Sequence, residues 1–164
     1  AIALTHAGAT WFMVGLIWFV QVVHYPLFAR AQGADDARGA STSGNAFPTF
    51  ALEHQKRTTW IVLPVMLVEL ASATMLAWTL GSRSDAPAAT PSTLIPIAPL
   101  AWAGLMLLVL VWLSTFLVQV PLHGRLGRGW DARTHRRLVA TNWARTVMWG
   151  VRGVIALALL AALR

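Results

Sequence analysis

Two ionisable residues, Glu69 and Arg152, stand inside long apolar runs of this sequence. Each needs a reason to be there, because a charge at the centre of a bilayer costs roughly 2.5–3.5 kcal/mol on insertion scales. Glu69 lies 11 residues beyond Thr58 and Arg152 lies 11 beyond Thr141. At the rise of an α-helix both sit about 16 Å along their runs. Opposite charges at matched depth on two helices of the same direction predict an ion pair inside a bundle. Such a pair either locks the two helices or lines a cavity that binds or protonates something.

Helical periodicity extends each charge into a stripe. His135, Asn142, Arg145, Trp149 and Arg152 share one face, and His54, Thr58, Ile61, Val65, Glu69 and Ser72 share another. Gln21 with His24, and Gln119 with His123, share faces near the ends of two further apolar runs. Four histidines, His24, His54, His123 and His135, are thus expected to gather at one end of the molecule. His6 falls at the other end and is left out of the expected site. Imidazoles on facing helices can hold haem or a transition metal, so those four histidines would be the ligands in a haem or metal reading. No His-x-x-x-His or Glu-x-x-His pair stands on one helix. The expectation is therefore no cofactor, with haem as the alternative.

The elements that must position these residues follow from hydropathy. Of 164 residues 57% are apolar and 12% are charged, about half the charged share usual in a soluble domain. The apolar residues form four blocks, Thr10 to Phe28, Thr58 to Leu80, Ile97 to Leu122 and Val139 to Leu163. Each is long enough to cross a hydrocarbon layer of about 30 Å. The expected fold is all-α: one integral membrane domain over residues 1–164, an antiparallel four-helix bundle. The first block has no basic residue before it and no small-residue cleavage pattern after it, so it reads as a span and not as a removed signal peptide. Pro64, five residues before Glu69, should kink the second span and free the Trp60 carbonyl.

The net charge of +7 would suggest nucleic acid in a soluble protein. Here the basic residues flank the spans, where they orient the chain and face anionic headgroups. Ten of the thirteen Lys and Arg residues lie in or beside the loops joining spans one to two and three to four. The positive-inside rule then predicts a bacterial inner (cytoplasmic) membrane protein with both termini periplasmic. Trp11, Trp78 and Trp102 fall near the outer interface and Trp60, Trp130 and Trp143 near the inner one, as amphipathic rings prefer. The segments Gly33 to Ala46 and Ser82 to Pro99 read as flexible loops. The absence of cysteine excludes disulfides and thiolate sites, and no nucleophile elbow, phosphate loop or nucleic-acid module is present. The expected partners are membrane lipid and a small hydrophobic ligand, not nucleic acid. Span one ends Phe19-Val-Gln-Val-Val-His24 and span three ends Leu117-Val-Gln-Val-Pro-Leu-His123, a pattern consistent with two parallel helix-pair repeats.

The stretch Val120-Pro121-Leu122-His123-Gly124-Arg125-Leu126, then Thr141-Asn142-Trp143-Ala144-Arg145 after a short basic segment, resembles the anthrone-oxygenase-like group of small four-span membrane proteins. That group has a Pro-x-Asn-x-x-Leu turn after span three and a Trp-Asn-x-x-Arg-like start to span four. His24-Tyr25-Pro26 matches it in layout only, and His123 stands where the group usually has Asn. The resemblance implies a four-helix membrane bundle and, for some members, oxygenation of polycyclic aromatic substrates without metal or flavin. Such chemistry needs a base, for which Glu69, His54 and His123 are the available residue types. Arg145, Asn142 or Arg152 could hold the resulting oxyanion, with Gln21, Gln119 and His24 completing the ligand-binding set. The expected function is binding, with oxidation or isomerisation, of a small hydrophobic molecule in a polar pocket open to the cytoplasmic side. The alternatives are a haem-binding redox protein and a non-enzymatic subunit or assembly factor, in which Gln21, Gln119 and Arg145 serve packing or partner contacts.

Overall fold

A backbone that lies in hydrocarbon must satisfy its own hydrogen bonds, and the four apolar blocks do so as helices. In the computed structural model, which describes residues 1–30, 46–82 and 97–163, these are α1 (Ile2–Arg30), α2 (Ala46–Gly81), α3 (Ile97–Leu126) and α4 (Ala132–Ala162). All four are long and apolar enough to cross a membrane, and the chain is an all-α four-helix bundle. The segments expected to be flexible fall largely outside the described residues, as do Arg38, Arg83 and Arg164 of the charge count.

The helices outrun the apolar blocks, mostly at their basic ends. α2 begins 12 residues before Thr58 and α4 begins 7 before Val139. Polar sequence stays helical where a cap supports it. Asp131 precedes α4 and accepts from the backbone N–H of Arg133 and Thr134 and, at 2.5 Å, from the Thr134 hydroxyl. Those hydrogen bonds hold the Asp131 carboxyl below the usual carboxylate range. Pro64 lies within α2 without ending it.

Neighbouring helices run antiparallel. Thr10 meets Glu69 and His24 meets His54 between α1 and α2. Gln119 meets Thr141 between α3 and α4, where Gly104 faces Ile155 further along. Tyr25 meets His135 between α1 and α4, with Trp11 against Gly153 at the opposite end. The four helices therefore close a ring in which α2 and α4 are diagonal and parallel. Glycines allow the close approaches that membrane bundles rely on. A Cβ on Gly153 would lie 3.1 Å from Val14, and one on Gly104 would lie 3.2 Å from Ile155.

The interior is layered. Ala77, Leu80, Ala101 and Leu159 fill the end near Gly81, and Met13, Ile17, Met66, Leu108, Val111 and Trp149 fill the middle. Tyr25, Phe28, Leu122, Leu126 and Leu138 fill the basic end. Polar side chains occupy the levels between. The outer surface is also apolar, as a lipid-facing bundle requires, and Ile61 belongs to it at 57% exposure. This corrects the stripe expected on α2 at Ile61 alone: the inward face runs through Val62, Val65, Met66, Glu69 and Ser72.

Two turns depart from the α-helix in a way no periodicity revealed. Residues Val20–His24 of α1 and Thr115–Gln119 of α3 are π-helical. The Tyr25 and Val120 N–H groups donate to Val20 and Thr115, five residues back. A proline follows each π-turn by two residues, Pro26 and Pro121. Its ring lacks a donor and crowds the carbonyl four residues earlier, which favours widening of the preceding turn. Aligned on the π-turns, Gln21 and Gln119 differ by three positions, one helical turn. The Val-Gln-Val match and the structural likeness are therefore not the same register.

Candidate functional site

Two polar clusters lie at different depths. The first joins all four helices. Glu69, fully buried, forms an ion pair with Arg152, which is 2% exposed. Thr10 of α1 donates to Glu69 Oε1 at 3.1 Å. The Arg152 guanidinium also donates to the Gly104 carbonyl of α3 and lies 5.4 Å from the centroid of the Trp149 ring. The expected pair is thus present, directly and across the diagonal. His6 was left out by the sequence reading and belongs here: it is 5% exposed, 3.9 Å from Glu69 Oε1 and 3.3 Å from Ser72 Oγ. The Ser72 hydroxyl already donates to the Glu69 carbonyl, which leaves His6 Nδ1 as the donor to Ser72. The signal that could have found it is the spacing of His6 and Thr10, one turn apart on α1.

The second cluster lies towards the basic end. Asn142 Nδ2 donates to Gln21 Oε1 at 2.8 Å and Arg145 donates to Asn142 Oδ1 at 3.0 Å. Gln119 Nε2 donates to Thr141 Oγ1 at 3.0 Å. The four histidines expected together do assemble around Tyr25 and Phe28. His24 and His54 stack at 4.1 Å, and His135 Nε2 lies 3.2 Å from the Tyr25 carbonyl. His123 and His135 each lie 6.3 Å from the Tyr25 ring. Among the buried atoms of the described residues that have no hydrogen-bond partner, four lie at this level: His24 Nε2, Trp112 Nε1, Gln119 Oε1 and Arg145 Nε.

Those four side chains line one cavity of about 230 Å³, with His54, His123 and Tyr25. Its apolar wall includes Met13, Ile17 and Met66. The exposed residues of its lining, Thr59 and Leu63 of α2 and Phe116 and Val120 of α3, put the mouth on the flank of the bundle between these helices. This differs from the end-on opening expected. Glu69 and Arg152 lie outside the cavity, contrary to the expectation that one pocket would reach them. Met66 and Trp149 intervene as an apolar layer. Gln21, Asn142 and His135 also stand behind the lining and position it rather than face it. Both π-turns border the cavity, through Val20 and His24 and through Thr115 and Gln119, a frequent association of π-turns with sites.

His24 and His54 are not disposed to ligate one iron together. Imidazole lone pairs lie in the ring plane, so the face-stacked His24 and His54, 19° apart in tilt, cannot both aim at a metal between them. Among the described residues no group of three or more His, Cys, Asp or Glu side chains could hold a metal ion.

Fold and buried groups together define a multi-pass membrane protein, a four-helix bundle with histidine, glutamate and arginine in its interior. No protein-family model, curated protein or solved structure matches the chain.

Proposed function

We propose that this protein binds a small hydrophobic molecule in the cavity between α1, α2 and α3, close to the cytoplasmic side of a bacterial inner membrane. The observation that carries this reading is the set of four unpartnered buried polar atoms, from His24, Trp112, Gln119 and Arg145, around a mainly apolar space. A buried polar atom left without a partner costs about 1–3 kcal/mol, and a ligand that pairs with these atoms removes that cost. Arg145 is suited to hold an oxyanion, and His54 or His123 to take a proton from a bound carbonyl compound. A proton removed beside a carbonyl and returned at another carbon is an isomerisation that needs no further reactant. The likeness to the anthrone-oxygenase-like group supports carbanion chemistry of this kind.

The test is to purify the protein in mild detergent and identify co-purifying small molecules by mass spectrometry. Val62→Trp, which fills the cavity wall, should abolish co-purification while the protein stays folded. An equal yield of the same molecules from that variant would remove the cavity as their site. Orientation is tested separately. Reporter fusions near Asp85 and at Arg164 should both read as periplasmic, and a cytoplasmic signal from either would invert the placement of the basic end.

A further inference from the structure

We infer that the ligand of this cavity is a single-chain amphipathic anion that also carries a hydroxyl or N–H beside its charged head, and that it enters sideways from the lipid. The inference rests on the binding reading above and names the class of ligand.

Arg145 is 8% exposed, yet no carboxylate lies within ion-pair distance of it among the described residues. The described acids are committed elsewhere. Glu53 pairs with Arg57 at 2.7 Å, Glu69 pairs with Arg152, and Asp131 caps α4. Arg145 instead donates to the neutral Asn142 oxygen, and Asn142 is itself held by Gln21. These amides orient the guanidinium without neutralising it. A buried cation is normally paired, so the missing counter-charge is what a ligand must supply to the free Arg145 Nε.

Gln119 sets the second requirement. The Thr141 hydroxyl donates to the Arg137 and Leu138 carbonyls. It can therefore only accept from Gln119, which fixes Nε2 on Thr141 and leaves Oε1 free at 2% residue exposure. A free amide oxygen takes a donor, not a second anion oxygen. The cavity of about 230 Å³ is smaller than the roughly 300–1,000 Å³ usual for drug-sized ligands, so it suits one short chain rather than a two-chain phospholipid. The flank mouth beside Leu63 and Phe116 opens at the level of the apolar blocks, where an amphiphile already resides.

The experiment compares 3-hydroxydecanoate, decanoate and decanol, titrated into the detergent-solubilised full chain and read by native mass spectrometry. Decanoate should bind at least about tenfold more tightly than decanol, as expected of a charge-assisted hydrogen bond. 3-Hydroxydecanoate should bind more tightly still, and Gln119→Leu should erase only that last margin. Arg145→Gln should reduce decanoate to the level of decanol, and Arg145→Lys should restore most of the difference. Equal binding of decanoate and decanol by the wild-type chain overturns the anion inference while leaving the cavity reading intact. Binding of none of the three also overturns it, and the Val62→Trp co-purification result then decides the cavity reading by itself. Should Arg145→Gln fail to fold, the wild-type comparison of decanoate with decanol still decides the matter.

Discussion

Glu69→Gln, or Arg152→Gln, is expected to destabilise the folded bundle by about 3–5 kcal/mol. The loss comes less from the attraction removed than from the partner left behind. Glu69 is fully buried and Arg152 is 2% exposed, so neither can reach water once its counter-charge is gone. The two changes are not equivalent in detail. Glu69→Gln keeps one oxygen that the Thr10 hydroxyl can still use but removes the charge facing Arg152, whereas removing the guanidinium strips the Gly104 carbonyl of a donor. The double variant should recover much of the loss, since both desolvated charges disappear together and two amides can still pair. Reversible unfolding in mixed micelles, followed for both single variants and the double, measures the coupling directly. If the single changes cost no more than a surface substitution, or if their effects simply add, the ionic knot across the diagonal is not what holds the helices in register. Because this pair lies outside the cavity, the double variant should keep whatever ligand the wild-type chain carries.

Asn142 should give the opposite separation of stability from binding. Asn142→Leu leaves the Gln21 oxygen and the Arg145 guanidinium without their 2.8 and 3.0 Å partners. The cost is about 1–3 kcal/mol, from two hydrogen bonds each worth well under 2 kcal/mol in membrane bundles. Ligand binding should fail as well, because Arg145 loses the group that aims it. Asn142→Asp is the informative companion. It places a carboxylate on the guanidinium, and the Gln21 amide can turn over to donate to it, giving up its 3.4 Å bond to the Val139 carbonyl. That variant should fold at least as well as the Leu variant and still lose anionic ligands about tenfold or more, since the counter-charge is now built in. Undiminished binding of decanoate by Asn142→Asp would show that Arg145 is not seeking an anion.

The ion pair and the gathering of four histidines were legible because each depends only on depth and direction along a helix, and the α4 stripe because that helix is uninterrupted. α4 has no proline and no π-turn, and His135, Asn142, Arg145, Trp149 and Arg152 are all buried as its periodicity required. His6 was missed because hydropathy placed the start of the first span at Thr10, while the helix begins at Ile2. Glu69 was assigned to the pocket because a stripe on a helical wheel has no gaps. Whether polar residues on one face form one site or two depends on what opposing helices insert between them, here Trp149 against Met66. That packing is invisible in any single segment. The π-turns were illegible for a related reason: a slip of one hydrogen bond leaves no residue signature beyond Pro26 and Pro121.

Each π-turn stows one residue that an α-helix of the same span does without, and it keeps the flanking faces in phase. Dropping a single residue from 20–24 or from 115–119 would leave the helix partners on either side where they are, and draw the wide turn closed. The room beside His24 and Gln119 is thus encoded in chain length as much as in side-chain chemistry. A one-codon deletion or insertion is then a heritable step between a bundle with a cavity and a bundle without one.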